Sequence, residues 1–281
     1  MKKKQVRNKN SECKIDNNTP FVITEAYKTV RTNVIFALGA CENKTFVVSS
    51  ANAGEGKSTT CANLAITLAQ TSARVLLIDA DLRKPTQHKI FQVENSHGLS
   101  GFLVGLESLA DSLHANVEPK LDLLTSGPLP PNPSELLGSK NMGFLLEKLA
   151  EHYDYIIIDS PPVNLVADAL VVSDKTAGVV LIAKHCSTTY DDIEKAADAI
   201  RFANSNVLGV IFNNVTENSH KGYYKGYEQY GYGAQPRRSE SNAGGRTPSQ
   251  TSFPAPDTVG TRTPVSEQAR QQAVFQRRPE Q

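Results

Sequence analysis

Residues 51–59 read Ala51-Asn52-Ala53-Gly54-Glu55-Gly56-Lys57-Ser58-Thr59, lying between a buried-strand pattern over 45–50 and a helical pattern over 57–70. That order restricts the fold more than any other feature of the chain. A strand that turns through small residues straight into a helix gathers backbone N–H groups at the helix's positive end, which suits phosphate oxygens. The segment matches a Walker A loop, with Ala51 in place of the first glycine. Ala53 to Thr59 are therefore expected to line a nucleotide, with Lys57 reaching its β- and γ-phosphates and Ser58 a Mg²⁺ ion.

A second strand pattern at 74–79 completes a βαβ unit, whose parallel strands need helices on both faces. Further strands are predicted at 121–125, 155–159, 178–183 and 207–212, and helices at 24–38, near 142–149 and at 191–202. The fold class expected is a doubly wound, mostly parallel α/β sheet. One predicted strand runs into Asp79-Ala80-Asp81 and another ends at Asp159. All three acids fall at the carboxyl edge, where such sheets bind ligands. Asp159 fits a Walker B acid and, with Ser58 and Asp81, makes a Mg²⁺ set. A lone acid at a strand end is often only a solvated stop, but three beside a phosphate loop favour a metal–nucleotide site.

The 30 basic and 29 acidic side chains nearly cancel, so no field draws the chain to nucleic acid. Composition shifts near residue 216. The division expected is a basic flexible start at 1–19, a folded domain at 20–215, a Tyr/Gly-rich segment at 216–234 and a disordered Pro/Ser/Arg/Gln-rich tail at 235–281. Cys13, Cys41, Cys61 and Cys186 form no CxxC pair and read as reduced. Lys2, Lys3 and Lys4 are followed by a polar stretch, and no long apolar run occurs, so neither a signal peptide nor a membrane span is predicted. These features suit a cytoplasmic protein.

From Glu25-x-x-Lys28-x-x-Arg31 through Gly54 to Thr59, Asp79-Ala80-Asp81-Leu82-Arg83-Lys84-Pro85, the proline-rich run at 127–137, and Asp159-Ser160-Pro161-Pro162, the sequence resembles the bacterial tyrosine kinases of capsule and exopolysaccharide systems. That family is built on the P-loop fold of the ParA/MinD-like group. The resemblance implies ATP-dependent autophosphorylation of a C-terminal tyrosine cluster. Five of the nine tyrosines are clustered, at Tyr223, Tyr224, Tyr227, Tyr230 and Tyr232. Lying 10 to 19 residues beyond Asn213, at about 3.3 Å per residue they span about 30 to 60 Å, enough to reach a neighbouring copy. The resemblance also implies subunit contacts through Glu25, Lys28 and Arg31, which share a helical face, although the family carries Arg at the position of Lys28. It further implies a ring loosened by phosphorylation, a membrane adaptor of the polysaccharide co-polymerase type, a phosphatase, and a location at the inner face of the membrane through that adaptor.

Lys57, Asp79 and Asp81 are the expected catalytic residues, with Asp79 orienting or deprotonating the tyrosine hydroxyl. At ordinary pKa values of about 3.9 for Asp and about 10 for a phenol, Asp79 is a poor ground-state base. Asn213 resembles a position that contacts the adenine edge, or is merely a turn former. Arg83 either touches phosphate or locks the loop after Asp81. Eukaryotic-type kinase motifs are absent, Ser160 replaces the glutamate that many P-loop motors place after the Walker B acid, and Asn52 replaces the signature lysine of the ParA/MinD switches. A positioning ATPase and a silent ATP-binding scaffold are the alternatives.

Overall fold

A computed structural model describes residues 14–215; the predicted tyrosine cluster and the tail lie outside them. The elements in chain order are α1 (Phe21–Ala37), β1 (Thr45–Ser50), α2 (Lys57–Ala69), β2 (Val75–Asp79), α3 (Gln87–Phe91), α4 (Leu99–Leu103), α5 (Leu109–Ser112), β3 (Leu113–Glu118), β4 (Leu121–Leu124), α6 (Pro133–Leu137), α7 (Lys140–Ala150), β5 (Tyr155–Asp159), α8 (Asp168–Ser173), β6 (Val179–Lys184), α9 (Tyr190–Phe202) and β7 (Val207–Asn213). The strands form one sheet in the order β3-β4-β2-β5-β1-β6-β7. All neighbours run parallel except β3 and β4.

The central strands β1, β2 and β5 are buried at every residue, as expected of parallel strands covered on both faces. Two apolar clusters result. On one face Val47, Leu76, Ile78, Ile156 and Ile158 meet Leu145, Leu146 and Leu149 of α7. On the other, Phe46, Val48, Leu77 and Ile157 meet Leu64, Ala65 and Leu68 of α2, with Val34 of α1 in the same cluster.

Register then builds the site. Val48 of β1 pairs with Asp159 of β5, and Asp159 with Asp79 of β2. The loop after β1 therefore opens beside both acidic strand ends.

Three details differ from the sequence expectation. β3 is an antiparallel edge strand that was not predicted, and five helices of four to six residues (α3, α4, α5, α6 and α8) were missed because they are too short to display a period. Packed structure also begins before residue 20. Ile15 is buried, its N–H donates to Asn63 Oδ1 at 2.9 Å, and Lys14 pairs with Glu118 and lies over the Phe91 ring.

Candidate active site

The phosphate loop takes its shape from two glycines. Gly54 and Gly56 have φ of 78° and 89°, which favours residues without a Cβ. At Gly56 a Cβ would also lie 2.1 Å from Asn213 Nδ2. Gly56 opens α2 with no side-chain cap, so the first-turn N–H groups stay available to an anion. Glu55 is buried and its carboxylate serves the loop itself, accepting from Asn52 N–H at 3.1 Å and from the Thr188 hydroxyl. Asn213 Nδ2 donates to the Glu55 carbonyl at 2.9 Å, and its Oδ1 accepts from Asn214 N–H at 2.8 Å. That amide ties the end of β7 to the loop.

The acids converge on Lys57. Its Nζ lies 2.8 Å from Asp81 Oδ2, 3.6 Å from Asp159 Oδ1 and 3.2 Å from Ser58 Oγ. Burial works against the ammonium, but Asp159 and Asp81 outweigh it and hold its pKa above the ordinary value. Asp81 Oδ1 accepts from Lys84 N–H at 2.9 Å. Asp79 sits wholly buried, with Oδ2 accepting from Thr86 N–H at 3.0 Å and Gln87 N–H at 2.9 Å. Burial, and then the charge of Asp159, push its pKa up to about 8. Its surroundings therefore favour the neutral carboxyl of Asp79 over the carboxylate.

Among the described residues, six buried side-chain polar atoms have no hydrogen-bond partner, and all but Thr45 Oγ1 belong to Asp79, Thr86, Gln87, His88 and Asp159. Buried polar atoms are normally paired, so this concentration marks where a polar ligand fits. No group of three or more His, Cys, Asp or Glu side chains among the described residues is arranged to hold a metal alone. The donor set suits a Mg²⁺ ion that takes only one or two protein carboxylates and completes its shell with phosphate oxygens and water.

Arg83 resolves one open alternative. Its Nε and Nη2 donate to the two carboxylate oxygens of Asp168 at 2.8 and 2.9 Å, and Nη2 reaches Ser134 Oγ at 3.2 Å. It locks the loop after Asp81 onto α6 and α8. Asp168 is wholly buried, so Arg83→Ala strands a carboxylate. The expected cost is about 2 kcal/mol, or a fall in Tm of about 4–8 °C, largely recovered in the Arg83→Ala/Asp168→Ala double variant.

Residues 43–205 match the family described as AAA domain. Over 203 residues the chain is 44% identical to tyrosine-protein kinase YwqD of Bacillus subtilis (strain 168), covering 72% of this chain and 86% of that protein. The chain belongs to the bacterial tyrosine-protein kinase family. The solved kinase domain of Escherichia coli tyrosine kinase ETK matches this tyrosine kinase with a TM-score of 0.67 and 34% identity, over 74% of this chain and 85% of that one. The septum site-determining protein MinD of Pyrococcus horikoshii OT3, at 22% identity over 60% of this chain and 69% of its own, shares the fold with a TM-score of 0.53. The enzyme is a protein-tyrosine kinase on a ParA/MinD-like P-loop fold.

In this tyrosine kinase the predicted interface trio is divided. Lys28 pairs with Glu25 at 2.8 Å at the surface, whereas Arg31 Nη1 donates to the Thr67 carbonyl of α2 at 2.9 Å. Spacing places the three on one face but does not say what each one meets. Sequence reasoning also missed Gln87 and Asp168, single polar residues with no motif of their own. The one available hint was position, since each begins a short helix near a loop already singled out.

Proposed function

We propose that this kinase uses Mg²⁺-ATP to phosphorylate Tyr223, Tyr224, Tyr227, Tyr230 and Tyr232 in a neighbouring copy of itself, and thereby regulates capsule or exopolysaccharide synthesis. The observation that carries the site is Lys57 held between Asp81 and Asp159 at the head of α2, with Asp79 paired in register beside them. The loop N–H groups bind the phosphates of ATP, and Lys57 exchanges its carboxylate partners for β- and γ-phosphate oxygens. Ser58, Asp81 and Asp159 would hold Mg²⁺, which supplies charge neutralisation on the phosphates. A tyrosine oxygen attacks the γ-phosphorus, the bond to the bridging oxygen breaks, ADP leaves, and Asp79 takes the phenolic proton. With its pKa raised to about 8, Asp79 serves as base only in the fraction of molecules that has already lost its own proton, and the phosphorylation rate should therefore rise with pH up to about 8.

The names of the relatives support the tyrosine-kinase chemistry. No helix among the described residues is long and apolar enough to cross a membrane, so we assign membrane contact to an adaptor of the polysaccharide co-polymerase type. The acceptor segment is residues 216–234, within an assembly contacted through Glu25, Lys28 and Arg31. Five phosphotyrosines add about −8 to −10 charges, which repel neighbouring segments and loosen the assembly until a phosphatase removes them.

Peptide mass spectrometry of residues 221–237 after incubation with Mg²⁺-ATP tests the acceptors. Mixing a Lys57→Met copy with an active copy whose five tyrosines are Phe should label the Lys57→Met tyrosines. Repeated phosphate release without phosphotyrosine would instead favour a positioning ATPase.

A further inference from the structure

Gln87 opens α3 and is wholly buried. Its backbone N–H donates to Asp79 Oδ2 at 2.9 Å, and its side-chain Nε2 donates to Asp159 Oδ2 at 2.8 Å and to the Ser58 carbonyl at 3.0 Å. One residue therefore fastens together the acid ending β2, the acid ending β5 and the first turn of α2. A primary amide has two N–H donors, and both are used here, so the amide cannot turn without losing a bond.

The effect on Asp159 is directional. Its Oδ2 is taken by Gln87, which leaves Oδ1, the oxygen 3.6 Å from Lys57 Nζ, with no hydrogen-bond partner. Asp79 is presented in the same manner, with Oδ2 anchored by backbone N–H groups and Oδ1 bare. An apolar side chain at position 87 would take away the amide that fixes Oδ2 and leave the Asp159 carboxylate oriented only by Lys57 and the Cys61 thiol. It would leave the α3 backbone bond to Asp79 in place.

We infer that Gln87 is a positioning residue for the kinase reaction: it fixes which oxygen of Asp159 faces Lys57, and so sets how tightly the enzyme holds the cation that accompanies ATP. This rests on the reading that Mg²⁺-ATP occupies the site. Partners that orient a metal-binding carboxylate commonly control metal affinity by about 10-fold or more. A merely structural link between α2 and β5 would not single out the cation.

The experiment is titration of a fluorescent ATP analogue into wild type, Gln87→Met and Gln87→Leu, each with Mg²⁺ and with EDTA, alongside thermal melts. Methionine matches glutamine in length and volume but donates nothing, and leucine is a second, more compact filler. The expected result is a Kd in EDTA within about twofold of wild type, and a strengthening by Mg²⁺ that is about 10-fold smaller in both variants. The Mg²⁺ concentration for half-maximal autophosphorylation should rise in parallel. Equal weakening with and without Mg²⁺ would overturn the inference and assign Gln87 to the phosphate loop through Ser58; no change in either condition would overturn it too. If wild type itself binds the analogue equally well in EDTA and Mg²⁺, the site reading fails first.

Discussion

Lys57→Met should lower tyrosine phosphorylation by on the order of 10³-fold, since it deletes the side-chain cation that the first turn of α2 places at the phosphate loop. The same substitution leaves Asp81 and the wholly buried Asp159 facing each other without their ammonium. Removing one partner of a buried pair costs about 3 kcal/mol, so the variant should also melt about 6–12 °C lower. Lost activity alone would then be ambiguous. Lys57→Arg separates the causes, because it restores the charge and much of the stability while its planar guanidinium cannot reproduce an ammonium's compact contact with phosphate. Both variants are therefore expected to be inactive, and only Met to be unstable. A melt-corrected Lys57→Met rate near wild type would remove Lys57 from the reaction.

Asp79→Asn should act in opposite directions on activity and stability. Its amide oxygen can still accept from Thr86 and Gln87 N–H, but it cannot take a proton, and the phosphorylation rate should fall about 10²- to 10⁴-fold with nucleotide affinity kept. For stability the sign follows from the raised pKa. Between about 3.9, where the unfolded Asp ionises, and about 8, the folded protein keeps a proton that the unfolded chain has lost. Wild-type stability therefore declines as pH rises through that window. Asn has no proton to lose. The Tm advantage of Asp79→Asn should be near zero at pH 4 and about 4 °C or more at pH 9, taking about 2 kcal/mol as the gain. Melting curves across pH check this, and a pH-independent difference would mean that Asp79 ionises normally in the fold.

What could be read from the sequence was whatever lay within a short contiguous stretch. Ser50 to Thr59 and Val75 to Asp81 each carry strand, turn and polar terminus together, and the alternation of strands and helices fixed a parallel sheet that brings them to one edge. Partnerships across the chain were not legible. Gln87 meets Asp159 from 72 residues away, and Arg83 meets Asp168 from 85. The β3 strand hid for a different reason: it is a half-exposed edge whose pairing with β4 slips between His114 and Glu118, with Asn116 at positive φ. Arg31 shows the limit of helical spacing, which predicted the face but not the Thr67 carbonyl it meets.

The buried oxygens and nitrogens without a hydrogen-bond partner gathered around Asp79, Gln87 and Asp159 are a cost to the fold by itself, and bound Mg²⁺-ATP stabilises the folded state relative to the opened one. At a nucleotide level 100 times its dissociation constant that linkage is worth about 2.7 kcal/mol. Resistance to a protease that attacks the opened chain should therefore rise with nucleotide concentration. Limited digestion with and without Mg²⁺-ATP measures that coupling directly, and equal cleavage rates would break it.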